Sequence, residues 1–428
     1  MNRIPQQPID ANELAQVTDV GRRRFIAGLG ASAAIVSSGS LMRPAWAQST
    51  LNVGVLLPTS GFQAFIGKSC KLGADIAPNV LPGLGYGMPI RLMHADTETN
   101  VDVARSRAER LINDGAHVLV GAFDSGASAA IAQVCEQKGV PFIVNIAAAP
   151  QITEQGYKFT FRNFPTAIDL VRNGLALIGD IFHATSTVPR TAVFMHVNDT
   201  FGQAMARGIG AILPRLDFLP FKVVETIAYD PAARDLSVEV AKAKATKADF
   251  LMLVCRLNDA ILVRREMVKQ RWSPMGIIGP GNPGMYEAQF YNALGKLSEY
   301  CMSNVPWYNP KAPLTHSIER AFRKSFPKEK LMFHALNVGF TVEAIMIAAD
   351  AYKRARTTDA KALADAIRQT SIANRMMIGG PIKFNAKGQV EGIKSACIQN
   401  LKMRPTVVLP AASAEAKPVF PMPGYRKA

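Results

Sequence analysis

The chain is poor in the residues that build catalytic and metal centres. It has six histidines, three tryptophans and five cysteines in 428 residues. No HExxH and no histidine pair at i, i+4 occurs, so a zinc site of the helical kind is not expected, and no metal or cofactor is implied. Cys70, Cys135, Cys255, Cys301 and Cys397 stand singly. Without a CxxC there is neither a zinc ribbon nor a thioredoxin-type motif. Their odd number leaves at least one free thiol, and their apolar surroundings mark most of them as small buried hydrophobes. The G-x-S-x-G elbow of an α/β hydrolase is missing too. Charged residues make up only 19%. Lys and Arg are scattered rather than interleaved with aromatics, so no nucleic-acid surface is expected. Past the N-terminal segment, no stretch approaches the roughly 20 uninterrupted apolar residues of a membrane helix.

What is present begins with an export signal. Gly21-Arg22-Arg23-Arg24-Phe25-Ile26 precedes a small-residue apolar run from Ala27 to about Leu41, and Ala45-Trp46-Ala47 follows. A basic region, an apolar core and an A-x-A site in that order read as a secretory signal cleaved after Ala47. The arginine pair and the mild, Gly/Ala/Ser-rich core resemble a twin-arginine signal, apart from Ala27, where that motif often carries lysine. Cys70 lies beyond any plausible cleavage point, which argues against a lipid anchor. The mature protein is thus expected to be soluble and periplasmic. The net charge is +16, and loss of five arginines and three acids with residues 1–47 leaves +14. Such a field attracts anionic solutes and anionic membrane faces.

From Leu51 onward, short apolar runs alternate with helical patterns. Strands are expected at 51–57, 89–95, 117–121 and 140–145, with helices at 67–79, 101–114 and 125–137. The series restarts with strands at 190–197, 222–227, 248–254 and 275–279 and helices at 201–213, 236–245 and 259–271. Short strand-to-helix steps and continuous apolar strands are the βαβ signature of parallel sheets covered on both faces. Two such series argue for two α/β domains of one architecture. The remaining third is largely helical (315–325, 335–355, 360–369), with late strands at 381–384 and 394–401. Residues 410–428, rich in Pro and Ala, are expected to be extended or disordered.

Two phosphate-site patterns are decoys. Gly28-Leu29-Gly30-Ala31-Ser32-Ala33 fits G-x-G-x-x-A but sits inside the signal with no preceding strand. Gly61 to Gly67-Lys68-Ser69 has five intervening residues where a phosphate loop has four. Ser125 is more informative, because it opens a helix directly after a strand. Free N–H groups and a hydroxyl at that point suit an anion. The turn Ala147-Ala148-Ala149-Pro150 leaves room and exposed backbone beside a ligand.

The joint order of several stretches carries a resemblance. VGVLLPTSG (53–61), DTETNVDVARSRAERLINDGAHVLVGAFDS (96–125), GVPFIVNIAAAPQIT (139–153) and HVNDTFGQAMARG (196–208) form the first part. DFLMLVCRLNDAILVRREM (249–267), GIIGPGN (276–282) and GGPIKFNAKGQVEG (379–392) complete it. Residues 51–401 resemble the leucine/isoleucine/valine-type periplasmic binding proteins of ABC transporters. The resemblance implies an α/β fold of two Rossmann-like lobes with parallel sheets joined by three crossovers. Lobe one would be 50–166 plus 307–380, and lobe two 167–306 plus 381–409, with a tail at 410–428. The crossovers would fall near 164–167, 305–308 and 379–381. It also implies a non-enzymatic monomer that closes its cleft on a small solute and docks on an ABC permease driven by its ATPase subunits.

The family's ligand positions map onto this sequence with departures. The carboxylate-binding loop falls on Phe123, Asp124 and Ser125, and Ser125 keeps its type. The threonine that accepts from a ligand ammonium falls near Ala148, beside Ala147. The acid that pairs with the ammonium falls on Gly281. An aromatic position falls on Phe201 and another near Arg256; Phe65 or Ile66 and the Phe333–His334 pair would wall the cleft. Loss of two ammonium acceptors argues against a plain α-amino acid, because a buried unpaired ammonium costs several kcal/mol. Arg256 offers a bidentate partner for a carboxylate, so a carboxylate-bearing organic or aromatic acid is expected. Asp124 and Asp199 keep an amino acid or amide open. The alternatives are a ligand-binding sensor of the same fold and a hydrolase using Ser125.

Overall fold

The computed structural model describes residues 49–425. The expected export signal, its expected cleavage site and the Gly28–Ala33 pattern lie outside the described residues.

The first series runs β1 (Leu51–Leu57), α1 (Ala64–Val80), β2 (Ile90–Asp96), α2 (Val101–Asn113), β3 (Val118–Gly121), α3 (Ser125–Lys138), β4 (Phe142–Val144), α4 (Gln151–Glu154) and β5 (Thr160–Arg162). The second runs α5 (Ala167–Ala184), β6 (Thr191–Val197), α6 (Thr200–Ile212), β7 (Lys222–Tyr229), α7 (Ser237–Ala245), β8 (Phe250–Val254), α8 (Leu257–Lys269), β9 (Ile277–Pro280), α9 (Ala288–Leu294) and β10 (Met302–Pro306). Helices α10 (Pro313–Ser325), α11 (Ala335–Ala355) and α12 (Ala360–Arg368) follow, and β11 (Ser395–Leu401) and β12 (Arg404–Leu409) finish the chain.

Two sheets result, ordered β2-β1-β3-β4-β5 and β12-β11-β10-β9-β8-β6-β7. Strands β1 to β10 pair in parallel within them, and β11 and β12 add antiparallel strands at one edge. Both parallel sets share one winding, with the first strand of each series flanked by its second and third. In such sheets the strand order reverses beside that first strand, and the loops at the carboxyl ends there open a crevice. This is the two-lobed α/β architecture.

Helix α11 binds the third segment to the first sheet. Seventeen of its 21 residues are buried, and it packs on α1, β1, β3 and β4. By length and composition it could cross a membrane, yet 94% of its apolar window is buried inside the protein. Inside this segment Glu343 pairs with Arg375 at 2.7 Å, both almost fully buried, and also accepts from Asn163 at the end of the first series.

Two expectations change. The chain does not return to the second lobe at 381. Residues 388–390 run alongside β5, where Arg162 N donates to the Gly388 carbonyl and Val390 N to the Arg162 carbonyl. Phe384 packs edge-on against Phe161. The return comes at β11, because Gln389 is locked to the Arg162 side chain. Nor is the described part of the tail disordered. Val419 exchanges hydrogen bonds with Gln399, and Phe420 is buried against Phe182 and Phe250. All five cysteines are buried and unpaired, and burial pushes the Cys70 thiol up to about 12.

Candidate functional site

Loops at the carboxyl ends of both parallel sets meet in one narrow cleft. Phe123, Ser125, Ala147 and Ala148 line it from the first lobe, and Phe201, Arg256 and Gly281 from the second. Its cavity is about 20 Å³. That is room for about one water. The lobes are therefore shut on each other, and a solute enters only when they part.

In lobe one the chain turns from β3 into α3. A Cβ at Gly121 would meet the Leu56 carbonyl at 2.0 Å, and Phe123 follows in the left-handed region at φ 68°. The Asn145 side chain fixes this turn by accepting from Phe123 N at 3.2 Å and Ile146 N at 2.7 Å. Asp124 caps α3 by accepting from Ala127 N at 2.9 Å. The buried Ser125 hydroxyl accepts long hydrogen bonds from Ala148 N and Ala149 N, at 3.3 and 3.4 Å. Its own proton has no acceptor among the described residues. A hydroxyl so placed at a helix N-terminus donates to an anion. It is not an activated nucleophile, since none of its partners is a base.

Arg162 supports the second turn from beneath. Fully buried in β5, it donates to the carbonyls of Ala147 and Ala149, to Thr153 Oγ1 and to Gln389 Oε1. Burial pulls its pKa down to about 9, so it stays charged at neutral pH. No carboxylate is among its hydrogen-bond partners. A buried cation partnered only by neutral acceptors adds a positive field under the loop beside Ser125.

Lobe two contributes a pinned arginine. Arg256 donates to Asp199 Oδ2 through Nη2 at 2.8 Å and Nε at 3.2 Å, and Asp124 of lobe one lies 3.6 Å from Nη2. Its guanidinium carbon sits 4.6 Å from the Phe201 ring centre and 5.3 Å from that of Phe123. Burial alone would lower its pKa, but Asp199 and Asp124 outweigh that and raise it. Asp199 is taken by Arg256 and the Gly202 amide, and Asp124 by Gln63 Nε2 at 2.9 Å and the Ala127 amide, so both carboxylates already have partners within the protein. Asp259 anchors the backbone, accepting from Arg256 N.

Position 281 favours glycine. Its φ is +92°, and a Cβ would meet Leu170 Cβ at 3.0 Å and Met205 Cε at 3.1 Å. An acidic side chain there would be strained as well as crowded.

Phe65 and Ile66 do not line the cleft. Ile66 faces the core of α1, 1% exposed, and Phe65 lies against the His334 ring. His334 is tied to Ser69 and Glu329, and Phe333 packs on Tyr291. Residues not anticipated from sequence take the wall positions: Phe164, Tyr286 and Leu336. The adjacent Tyr286-Glu287 pair after β9 was the available signal, since an aromatic beside an acid at a strand's carboxyl edge suits a binding loop.

Comparison with known proteins fits this geometry. A family model described as "Periplasmic binding protein" matches residues 50–399. A Leu/Ile/Val-binding protein homolog 8 of Brucella abortus is 25% identical over 353 residues, covering 73% of this chain and 81% of its own. Among solved structures, the leucine binding protein LivK of Thermotoga maritima superposes with a TM-score of 0.72 at 21% identity, covering 83% of this chain and 97% of its own. A solute binding protein of an ABC transporter from R. palustris, in complex with benzoate, gives 0.72 at 19%, covering 86% and 98%.

Proposed function

As a member of the periplasmic binding protein family, a solute-binding protein and not an enzyme, this chain is, we propose, the exported receptor of an ABC importer for a small organic acid. The cleft would close on the solute and the closed form would dock on a permease coupled to its ATPase, the protein working as a periplasmic monomer.

The observation that carries the carboxylate reading is the Ser125 corner. There an unspent hydroxyl proton, the α3 N-terminus and the field of Arg162 converge in a buried, largely apolar cleft. The solute's other end would be apolar, facing Phe123, Phe164, Phe201 and Leu336. Against a plain α-amino acid stand Gly281, Ala148, the pairing of Asp199 with Arg256 and the hold of Gln63 on Asp124. Proteins of the same fold include a leucine binding protein and one in complex with benzoate, so the fold itself accommodates either class. Arg256, expected from sequence as a bidentate partner of the carboxylate, already spends Nε and Nη2 on Asp199, so its part in this reading is that of an inter-lobe latch reaching toward Asp124.

A thermal-shift panel of amino acids, their amides, and aliphatic and aromatic carboxylates tests this. A solute bound only by the native state raises the melting temperature with concentration. Non-amino carboxylates should do so, and Arg256→Ala should abolish it. Stabilisation by amino acids alone would refute the organic-acid reading. A sensor of the same fold would bind equally well but would fail to stimulate transport by a reconstituted permease.

A further inference from the structure

At one wall of the cleft and in the layer next to it are hydrogen-bonding groups that nothing among the described residues satisfies. Tyr286 lines the cleft, its ring held edge-on to Trp307 at 5.0 Å, and its hydroxyl is buried without a partner. The adjacent Glu287 is fully buried; one carboxyl oxygen accepts from Asn337 Nδ2 at 2.7 Å, and the other has no partner. Asn337, beside the lining residue Leu336, is fully buried with an unpartnered Oδ1. Buried polar groups are nearly always paired, so three open atoms on neighbouring side chains call for an occupant.

We infer that Tyr286, Glu287 and Asn337 form a second polar subsite that takes an uncharged hydroxyl group of the bound acid. The inference rests on the carboxylate reading of the Ser125 corner. Asn337 comes from lobe one and Tyr286 and Glu287 from lobe two, so the subsite is complete only when the lobes meet. A hydroxyl both donates and accepts. It can donate to Asn337 Oδ1 and accept from the Tyr286 hydroxyl or a protonated Glu287. An ammonium fits less well, because it needs an ionised acceptor. Burial pushes the Glu287 carboxyl up to about 8, with the Asn337 amide only partly opposing. Burial and then Glu287 likewise raise the Tyr286 hydroxyl well above its usual value. At neutral pH the subsite is therefore a set of neutral donors and acceptors. Glu287 is also six residues past Gly281, so it does not restore a carboxylate at that position.

The test is calorimetric titration of the full chain with benzoate and with 2-, 3- and 4-hydroxybenzoate. The same set is then run on Glu287→Gln and Tyr286→Phe, with melting curves to confirm that both fold. A site built to pair a hydroxyl rejects the ligand lacking it. At least one hydroxybenzoate should bind about tenfold or more tighter than benzoate. Tyr286→Phe should erase that advantage and Glu287→Gln reduce it. Equal binding of benzoate and all three hydroxybenzoates would mean the open atoms hold buried water only, and would overturn the subsite while leaving the carboxylate reading intact. Leucine binding that is lost in Glu287→Gln would overturn it in favour of an ammonium site. Failure of benzoate and every hydroxybenzoate to bind, with another acid binding unaffected by either substitution, would also overturn it. Failure of all carboxylates would bring down both readings.

Discussion

The two halves of the cleft are built from different materials. Lobe one offers backbone N–H groups and one hydroxyl, set between small residues and stiffened from behind by Asn145 and Arg162. Lobe two offers large side chains, three with charged or hydrogen-bonding tips (Arg256, Tyr286 and Glu287) beside the apolar ring of Phe201. Backbone donors on a rigid turn recognise what every carboxylate shares. Side chains on separate loops recognise what distinguishes one acid from another. The contrast assigns general anion capture to the Ser125 corner of lobe one, and selection among acids to the side chains of lobe two together with Asn337.

The largest effect expected is on lobe one's support. Arg162→Met would strand two carbonyls, Thr153 and Gln389 in the core. Each unsatisfied buried group costs roughly 1–3 kcal/mol, so urea unfolding should show a loss of about 4 kcal/mol together with loss of binding. Next comes lobe two's latch. Arg256→Ala leaves Asp199 nearly buried and unpaired, at a cost of about 3 kcal/mol, and Arg256→Lys should not restore binding, since it lacks the planar fork and the stacking surface. Calorimetry on both variants would show whether the latch depends on guanidinium geometry or on charge alone.

Glu287 makes lobe two's polar wall pH-sensitive. Its folded pKa is raised from 4.5 to about 8. Between those values the unfolded chain has released a proton that the folded one keeps, so stability falls as pH rises through the window and levels off above it. The slope from this group is at most about 1.4 kcal/mol per pH unit. Melting curves from pH 5 to 9 should show the decline, and Glu287→Gln should flatten it. The smallest effect is Ser125→Ala. It removes one hydroxyl, worth about 1 kcal/mol of binding, and costs ligand-free stability only about 1 kcal/mol, because the bonds it accepts from Ala148 N and Ala149 N are long. A Ser125→Ala variant that melts much lower would make lobe one's corner a structural feature rather than a binding one.

Much of the fold was legible because strands buried on both faces read as continuous apolar runs, as in LNVGVLL or FLMLV. The Ser125 corner was legible for a related reason, a strand end followed at once by a capped helix. Long-range pairing was not. Nothing local says that Arg256 will be held by Asp199, 57 positions away, or that Gln389 will reach Arg162 and carry 388–390 along β5. Phe65 and Ile66 were misplaced because they open α1, whose buried face decides which side chain meets the core and which meets the cleft. Leu336 and Asn337 depend on the register of α11 against α1, which is set by packing at sites such as Gly73, where a Cβ would meet the Val338 carbonyl at 2.6 Å.

The most direct test of the central claim compares two ligands that differ by one group. Leucine and 4-methylpentanoate share a carboxylate and an isobutyl chain, and only leucine carries an ammonium. Titrated calorimetrically into the full chain, 4-methylpentanoate should bind at least about 100-fold more tightly, a difference of about 2.7 kcal/mol set by the unpaired ammonium. Tighter binding of leucine would contradict the account and show that the cleft pairs an ammonium after all.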